Sequence, residues 1–364
     1  MSLASKLQRA HLAQLTPYAS ARRSMSGGNV WLNANEAPST PLAAVADNAM
    51  SGSDLNRYPS FQSAALNQAY ASYAGVSAEQ VLSCRGSDEA IELLIRTFCE
   101  PGRNSIVICP PTYGMYAISA QTHGAGVISV PLQQQQLDVP AILEQIQTAA
   151  QTVKLIFVCN PSNPLGNNLT LDSLQQLLQQ VGERAIVVVD EAYIEFAAAS
   201  SVQALNEVSS WLQQYPQLVV LRTLSKAFGL AGIRCGFALA PADIIEAIRK
   251  VIAPYPLPQT TVTIATQALS DAAINAMQQQ VAATNTQRER LLAALADASW
   301  VIKIWPSCTN FVLLTVTDAA AIVAHFAAAG ILIRNQSQQL GLANSVRISI
   351  GSAAEMDQLL KVFP

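Results

Sequence analysis

Several short segments of the chain put reactive side chains where a strand should end or a helix begin. Lys226 stands in Thr223-Leu224-Ser225-Lys226, just after the apolar run Leu218–Thr223, with Gly229, Gly232 and Arg234 close behind. Six lysines occur in all, and Lys226 is the one set at a strand end among Ser, Thr, Gly and Arg. Such a lysine is either solvated or, desolvated beside another cation, lowered in pKa and able to form a Schiff base. Asp190 and Glu191 close a second apolar run, Val187-Val188-Val189, and Tyr193 follows. A carboxylate at a buried strand end needs a cation or a donor, such as a magnesium ion or a protonated ring nitrogen. Nucleotide hydrolysis on magnesium would require a G-x-x-x-x-G-K-[ST] loop, and the chain has no Gly-Lys dipeptide.

Gly86-Ser87-Asp88 opens a helical pattern over Glu89–Cys99. Ser or Asp there is an ordinary helix cap, or its free N–H groups and the helix dipole form an anion site. Asn160-Pro161-Ser162-Asn163-Pro164-Leu165-Gly166 follows another apolar run and reads as a turn, with Asn163 available as a donor. Arg334 and Arg347 lie in late strand candidates; each is a surface ion pair or a two-point binder of carboxylate or phosphate. Taken together these are a lysine for an imine, an acid for a ring nitrogen, donors for a ring oxygen and an anion cradle. Pyridoxal phosphate chemistry needs that set.

The elements that must position these residues follow from hydrophobic pattern. Strand candidates are Ser105–Cys109, Val127–Val130, Lys154–Cys159, Ala185–Asp190, Leu218–Thr223 and Cys235–Ala240, with helical patterns such as Leu171–Gln180 between most of them. Runs apolar enough for burial on both faces predict an α/β fold: a mainly parallel central sheet with helices on both faces. Functional residues in such sheets gather beyond the carboxyl ends of the strands. After the stretch containing Pro254, Pro256 and Pro258 the pattern becomes α+β. It has a long helix over Asp271–Asp297, strands at Val301–Trp305, Asn310–Val316 and Val346–Ile350, and helices at Ala319–Ala329 and Ala353–Val362. The expected division is an N-terminal segment, 1–55, joining the small domain, a large domain, 56–258, and a small C-terminal domain, 259–364.

Composition narrows the classes. With 364 residues, 51% hydrophobic side chains and 12% charged ones, the chain has ample material for a large core, which excludes disorder. A net charge of −3 argues against nucleic acid as partner. The longest weakly polar stretch, Ala319–Ile333, contains His325 and Gly330 and falls short of the roughly 20 residues of a membrane span. The six cysteines form no C-x-x-C pair, so neither a zinc site nor a disulfide framework is expected, and the protein reads as soluble and cytoplasmic.

Ordered motifs along nearly the whole chain resemble the fold-type I pyridoxal-phosphate aminotransferases, and among them the histidinol-phosphate aminotransferase family. They are Leu15-Thr16-Pro17-Tyr18, Asn33-Ala34-Asn35-Glu36, Asn56-Arg57-Tyr58-Pro59, Pro111-Thr112-Tyr113-Gly114-Met115-Tyr116, Asp190-Glu191-Ala192-Tyr193, Arg222-Thr223-Leu224-Ser225-Lys226, Gly232-Ile233-Arg234 and Val346-Arg347-Ile348. The resemblance implies the cofactor pyridoxal 5'-phosphate, with Lys226 as imine former and proton carrier and Asp190 as partner of the ring nitrogen. It makes Asn163 and Tyr193 donors to the ring oxygen, and Tyr113 the stacking aromatic. Ser87, Asp88, Ser225 and Arg234 become the phosphate cradle, and Tyr58 reaches a neighbouring subunit's cofactor in a homodimer with shared sites. Tyr18, Arg334 and Arg347 would hold the phosphate of L-histidinol phosphate and then the carboxylates of 2-oxoglutarate or L-glutamate. Rival readings are an aromatic or general transaminase, a phospho-amino-acid decarboxylase, and a cofactor-binding module without turnover. Leu165 departs from the Thr common in the family's Asn-Pro-Thr-Gly turn.

Overall fold

A computed structural model describes residue 25 and residues 28–39, 58–198 and 201–364. Strand β1 (Val30–Trp31) is followed by β2 (Val81–Cys84), β3 (Asn104–Ile108), β4 (Gly126–Ser129), β5 (Thr152–Cys159), β6 (Ile186–Asp190), β7 (Leu218–Thr223) and β8 (Gly236–Leu239). Strands β2 to β8 form a seven-stranded sheet in the order β2-β8-β7-β6-β5-β3-β4. Neighbours β7-β6, β6-β5, β5-β3 and β3-β4 run parallel, whereas β8 is antiparallel to both β2 and β7.

Alternation along a strand sends successive side chains to opposite faces, and here both faces are core. In β5, Val153, Ile156 and Val158 pack with Leu66 and Tyr70 of helix Ala64–Ala74 and Leu177 of helix Leu171–Val181. Leu155 and Phe157 point the other way, to Ile91 and Leu94 of helix Gly86–Phe98 and Ile245 of helix Ala242–Arg249. Helix Leu171–Val181 carries a Thr170 cap that accepts from the Ser173 N–H, which fixes its start beside the sheet.

A second, antiparallel sheet runs β12-β13-β10-β9, from β9 (Val301–Ile304), β10 (Phe311–Val316), β12 (Arg334–Asn335) and β13 (Ser345–Ser349). The short β11 (Ile331–Leu332) pairs in parallel with β1, so Val30 and Leu32 enter the core of this unit with Leu291, Phe326 and Ile348. The 25-residue helix Asp271–Leu295, capped by Ser270, leads into it.

Two local expectations change. β2 was not legible as a strand: it is only Val-Leu-Ser-Cys, and its pairing with β8 is a tertiary contact. The following helix begins at Gly86, ahead of the expected Glu89, with Arg85 in the cap position and no side-chain cap. Gly86 makes the turn from strand to helix at φ +76°, a conformation glycine adopts without penalty. Among the described residues no helix is long and apolar enough to cross a membrane, and all six cysteines are free.

Candidate active site

The carboxyl ends of β5, β6 and β7 deliver Asn160 and its turn, Asp190, and Ser225 with Lys226 to one side of the sheet. The small sheet approaches from opposite, bringing Arg334 on β12 and Arg347 on β13. Two cavities result, of about 220 Å³ and 260 Å³. They share Ala34, Tyr113, Asn163, Tyr193 and Lys226, so they are two compartments of one cleft with the lysine between them.

The first compartment is lined by Ser87, Asp88, Asp190, Ser225 and Arg234 besides the shared residues. Asp190 is 3% exposed. Its Oδ2 accepts a 2.7 Å hydrogen bond from the Tyr116 hydroxyl, and its Oδ1 accepts the Ala192 backbone N–H. Burial pushes its pKa up to about 6. Among the described residues it makes no salt bridge. A buried carboxylate that faces a cavity and is paired with no cation fits a group that brings one, as a protonated pyridine nitrogen does.

At the other end, the first turn of helix Gly86–Phe98 has no side-chain cap, so its N–H groups are open to an anion. Arg234 folds over that turn: a Cβ on Gly86 would lie 2.7 Å from its Nη2. Arg234 adopts the left-handed φ of +54°, a strained conformation for arginine of the sort found where a binding site demands it. The Asp88 carboxylate is taken by the Tyr113 hydroxyl at 2.9 Å and by Arg234 at 3.4 Å, so its service to an anion is through its backbone. Ser225 accepts a hydrogen bond from the Thr223 hydroxyl. Aromatic wall, acid and open helix turn together suit pyridoxal phosphate.

Lys226 Nζ donates to the Ala34 carbonyl at 3.4 Å. Burial first, then the Arg347 charge, lower its pKa to about 8. This is the desolvated lysine beside a cation that the sequence left as one of two options. The Tyr193 hydroxyl accepts from Asn35 Nδ2 at 3.0 Å and from Asn163 Nδ2 at 3.5 Å, which leaves its own proton free to donate.

In the second compartment Arg347 is 8% exposed. Its Nη1 donates to Asn163 Oδ1 at 2.6 Å and its Nη2 to the Asn33 carbonyl, and Arg334, Gln336 and Gln339 complete the wall. Tyr58 lines neither compartment; it is exposed and stacks on Tyr255 with ring centroids 4.6 Å apart. Tyr18 lies outside the described residues.

Sequence reasoning gave no role to Asn35, Tyr116 or Gln336. Tyr116 sits in the first turn of helix Met115–His123, three residues after Tyr113, which lies just ahead of that helix, and the paired tyrosines were the available signal. Asn35 owes its place to a left-handed φ of +54° that no local pattern announces.

The model of the family "Aminotransferase class I and II" matches residues 28–363. A relative named histidinol-phosphate aminotransferase 2 in Idiomarina loihiensis is 57% identical, covering 99% of this chain and 98% of its own. The histidinol-phosphate aminotransferase of Aeromonas hydrophila is 50% identical over 100% and 98%. Among solved structures, histidinol-phosphate aminotransferase from Sinorhizobium meliloti, in complex with pyridoxal-5'-phosphate, superposes with TM-score 0.85 at 25% identity, covering 98% and 96%. Cleft and relatives agree: the chain belongs to the class I and II aminotransferases, enzymes that depend on pyridoxal phosphate.

Proposed function

We propose that this aminotransferase moves the amino group of L-histidinol phosphate to 2-oxoglutarate, giving imidazole acetol phosphate and L-glutamate in histidine biosynthesis. What carries the proposal is the second compartment, where Arg334 and Arg347 converge opposite Lys226. Two guanidinium groups suit a phosphate dianion in one half-reaction and a dicarboxylate in the other. Relatives at 57% and 50% identity bear the corresponding name.

When bound, pyridoxal phosphate accepts the amino group and withdraws electrons from the carbon that carried it. The chain's residues have separate tasks. Asp190 holds a proton at the ring nitrogen, and Tyr193 with Asn163 donates to the ring oxygen. Ser87 and Asp88 through their N–H groups, with Ser225 and Arg234, hold the cofactor phosphate, and Tyr113 covers the ring. Lys226 Nζ, its pKa brought down to about 8, would carry the proton from the substrate's amino-bearing carbon to the cofactor carbon bonded to the same nitrogen. Arg347 ties these tasks to substrate binding through its bond to Asn163. Tyr18 joins Arg334 and Arg347 on the substrate's anion.

We further assign the enzyme to the cytoplasm, as its free thiols suit a reducing compartment, and infer a homodimer in which exposed Tyr58 reaches the partner's cofactor phosphate. The division into segments 1–55, 56–258 and 259–364 belongs to the same proposal. The test is the visible spectrum of the purified holoprotein before and after L-histidinol phosphate. Conversion to the amino form of the cofactor, reversed by 2-oxoglutarate, is expected. No change with histidinol phosphate, but change with phenylalanine or threonine phosphate, would replace the substrate. A monomer at micromolar concentration with full activity would remove the shared site.

A further inference from the structure

Behind Asp190 lies a residue that touches neither compartment. Tyr116 is fully buried in the first turn of helix Met115–His123. Its hydroxyl donates to Asp190 Oδ2 at 2.7 Å. Its ring stacks on Phe157 of β5, with centroids 4.9 Å apart and planes 16° from parallel. Edge-on it meets Tyr113 at 5.6 Å, the aromatic that lines both compartments, and its hydroxyl also lies against the Cys159 thiol.

A phenol is a costly way to fill that space. A phenylalanine would stack equally well on Phe157 and would leave no hydroxyl to satisfy. What the hydroxyl adds is a donor to one oxygen of a carboxylate that has no cation of its own. That bond has two effects. It lowers the cost of keeping Asp190 ionised in a dry site, and it fixes the carboxylate plane. Among the described residues the other oxygen is held only by the Ala192 N–H at 3.2 Å. Resting on the assignment of Asp190 to the cofactor's ring nitrogen, we infer that Tyr116 is the positioning residue for Asp190, holding it ionised and aimed so that it can keep that nitrogen protonated. The edge contact with Tyr113 links the ring's cover to the residue that holds its acid.

Other groups face Asp190. Cys159 is its register partner on β5, Tyr193 and Glu191 follow on its own segment, and Asp88 and Lys226 act across the cavity. None of these makes a side-chain hydrogen bond to the carboxylate among the described residues; Tyr116 does.

The test uses full-length protein and Tyr116→Phe, which keeps the ring. Pyridoxal phosphate is titrated onto protein freed of cofactor, by absorbance, in wild type, Tyr116→Phe, Asp190→Asn and the double variant. Loss of a charge-assisted hydrogen bond predicts affinity weaker by about 10-fold or more in Tyr116→Phe. The cofactor-free melting temperature should fall by no more than the few degrees of one lost hydrogen bond, and the pH at which the bound cofactor's absorbance changes should move. In the Asp190→Asn background the same substitution should alter affinity by less than about twofold, because the residue acts through Asp190. Unchanged affinity and unchanged pH profile in Tyr116→Phe, with Asp190→Asn impaired, overturns the inference alone. Equal losses in both backgrounds also overturn it. If Asp190→Asn binds as tightly as wild type, the assignment of Asp190 falls, and this inference with it.

Discussion

Asp190 and Glu191 are consecutive residues with the same acidic group, and both are nearly sealed from water, at 3% and 1% exposed. They nonetheless have opposite surroundings. Glu191 points away from the cleft, and its Oε2 meets Arg222 Nε at 2.6 Å, with the guanidinium itself wholly buried. Arg222 Nη2 also donates to the Leu205 carbonyl, tying β7 to the helix Val202–Ser210. Asp190 points into the cleft and has a hydroxyl and one N–H for company. A buried charge that is already neutralised belongs to the framework, whereas one left without a cation is reserved for something that arrives.

If that contrast holds, the two sites separate activity from stability. Asp190→Ala should reduce kcat/KM by about 10³-fold, the range seen when one preorganised electrostatic contact is lost. Steady-state kinetics checks this, and thermal unfolding of the cofactor-free protein should show no loss of stability. The converse is Arg222→Met, which strands Glu191 in the interior and should cost about 3–5 kcal/mol. Urea unfolding measures that, while KM for L-histidinol phosphate in the surviving folded enzyme should stay within about twofold of wild type. A variant at Arg222 that folded normally but lost cofactor would break the contrast.

Protons offer a sharper probe of the same pair. Burial raises Asp190 from 3.8 to about 6, so between those values the native protein binds a proton that the unfolded chain has released. Stability of the cofactor-free protein therefore falls as pH rises from about 4 to 6, by about 3 kcal/mol from this group, and the penalty stays in place above 6. Asp190→Asn removes it. The variant should match wild type near pH 4 and exceed it at pH 7, as read from urea unfolding across that range. Burial also raises Glu191, against the pull of Arg222, but that shift is common to both proteins and cancels in the difference.

The contrast between the two acids was half legible. Val187-Val188-Val189 ending in Asp190 and Glu191 marked a buried strand with acids at its carboxyl end, and the strand is there as β6. Which acid faced the cleft follows from the strand's two-residue alternation once a neighbouring strand fixes the faces, but Arg222 as the partner of Glu191 is a pairing of β6 with β7. Lys226 stood out because lysine is scarce in this chain and because its run of small polar neighbours resembled a family motif. Leu165, which looked like a plain departure from that family, is 1% exposed and packs with Leu313 and Leu342 of the small unit. Its reason lies about 150 residues away, beyond any local pattern. The same holds for β2, too short to be seen until β8 lies beside it.

The smallest expected effect gives the most demanding test of the framework role. Replacing both members of the pair, as Glu191→Leu with Arg222→Met, removes two buried charges together and leaves neither stranded. Neither charge is fully satisfied in place: Glu191 Oε1 and Arg222 Nη1 have no hydrogen-bond partner among the described residues. Desolvation of such a pair offsets most of its attraction, so an apolar replacement of similar volume should fall within about 1–2 kcal/mol of wild type. The double variant should thus recover most of the stability lost by Arg222→Met alone, with an unaltered cofactor spectrum and an affinity for pyridoxal phosphate within a fewfold of wild type. Recovered stability with lost cofactor binding would mean that the ion pair sets the direction of Asp190 through the shared backbone. The two acids would then be one device, and the division between framework and site would have to be redrawn at Glu191.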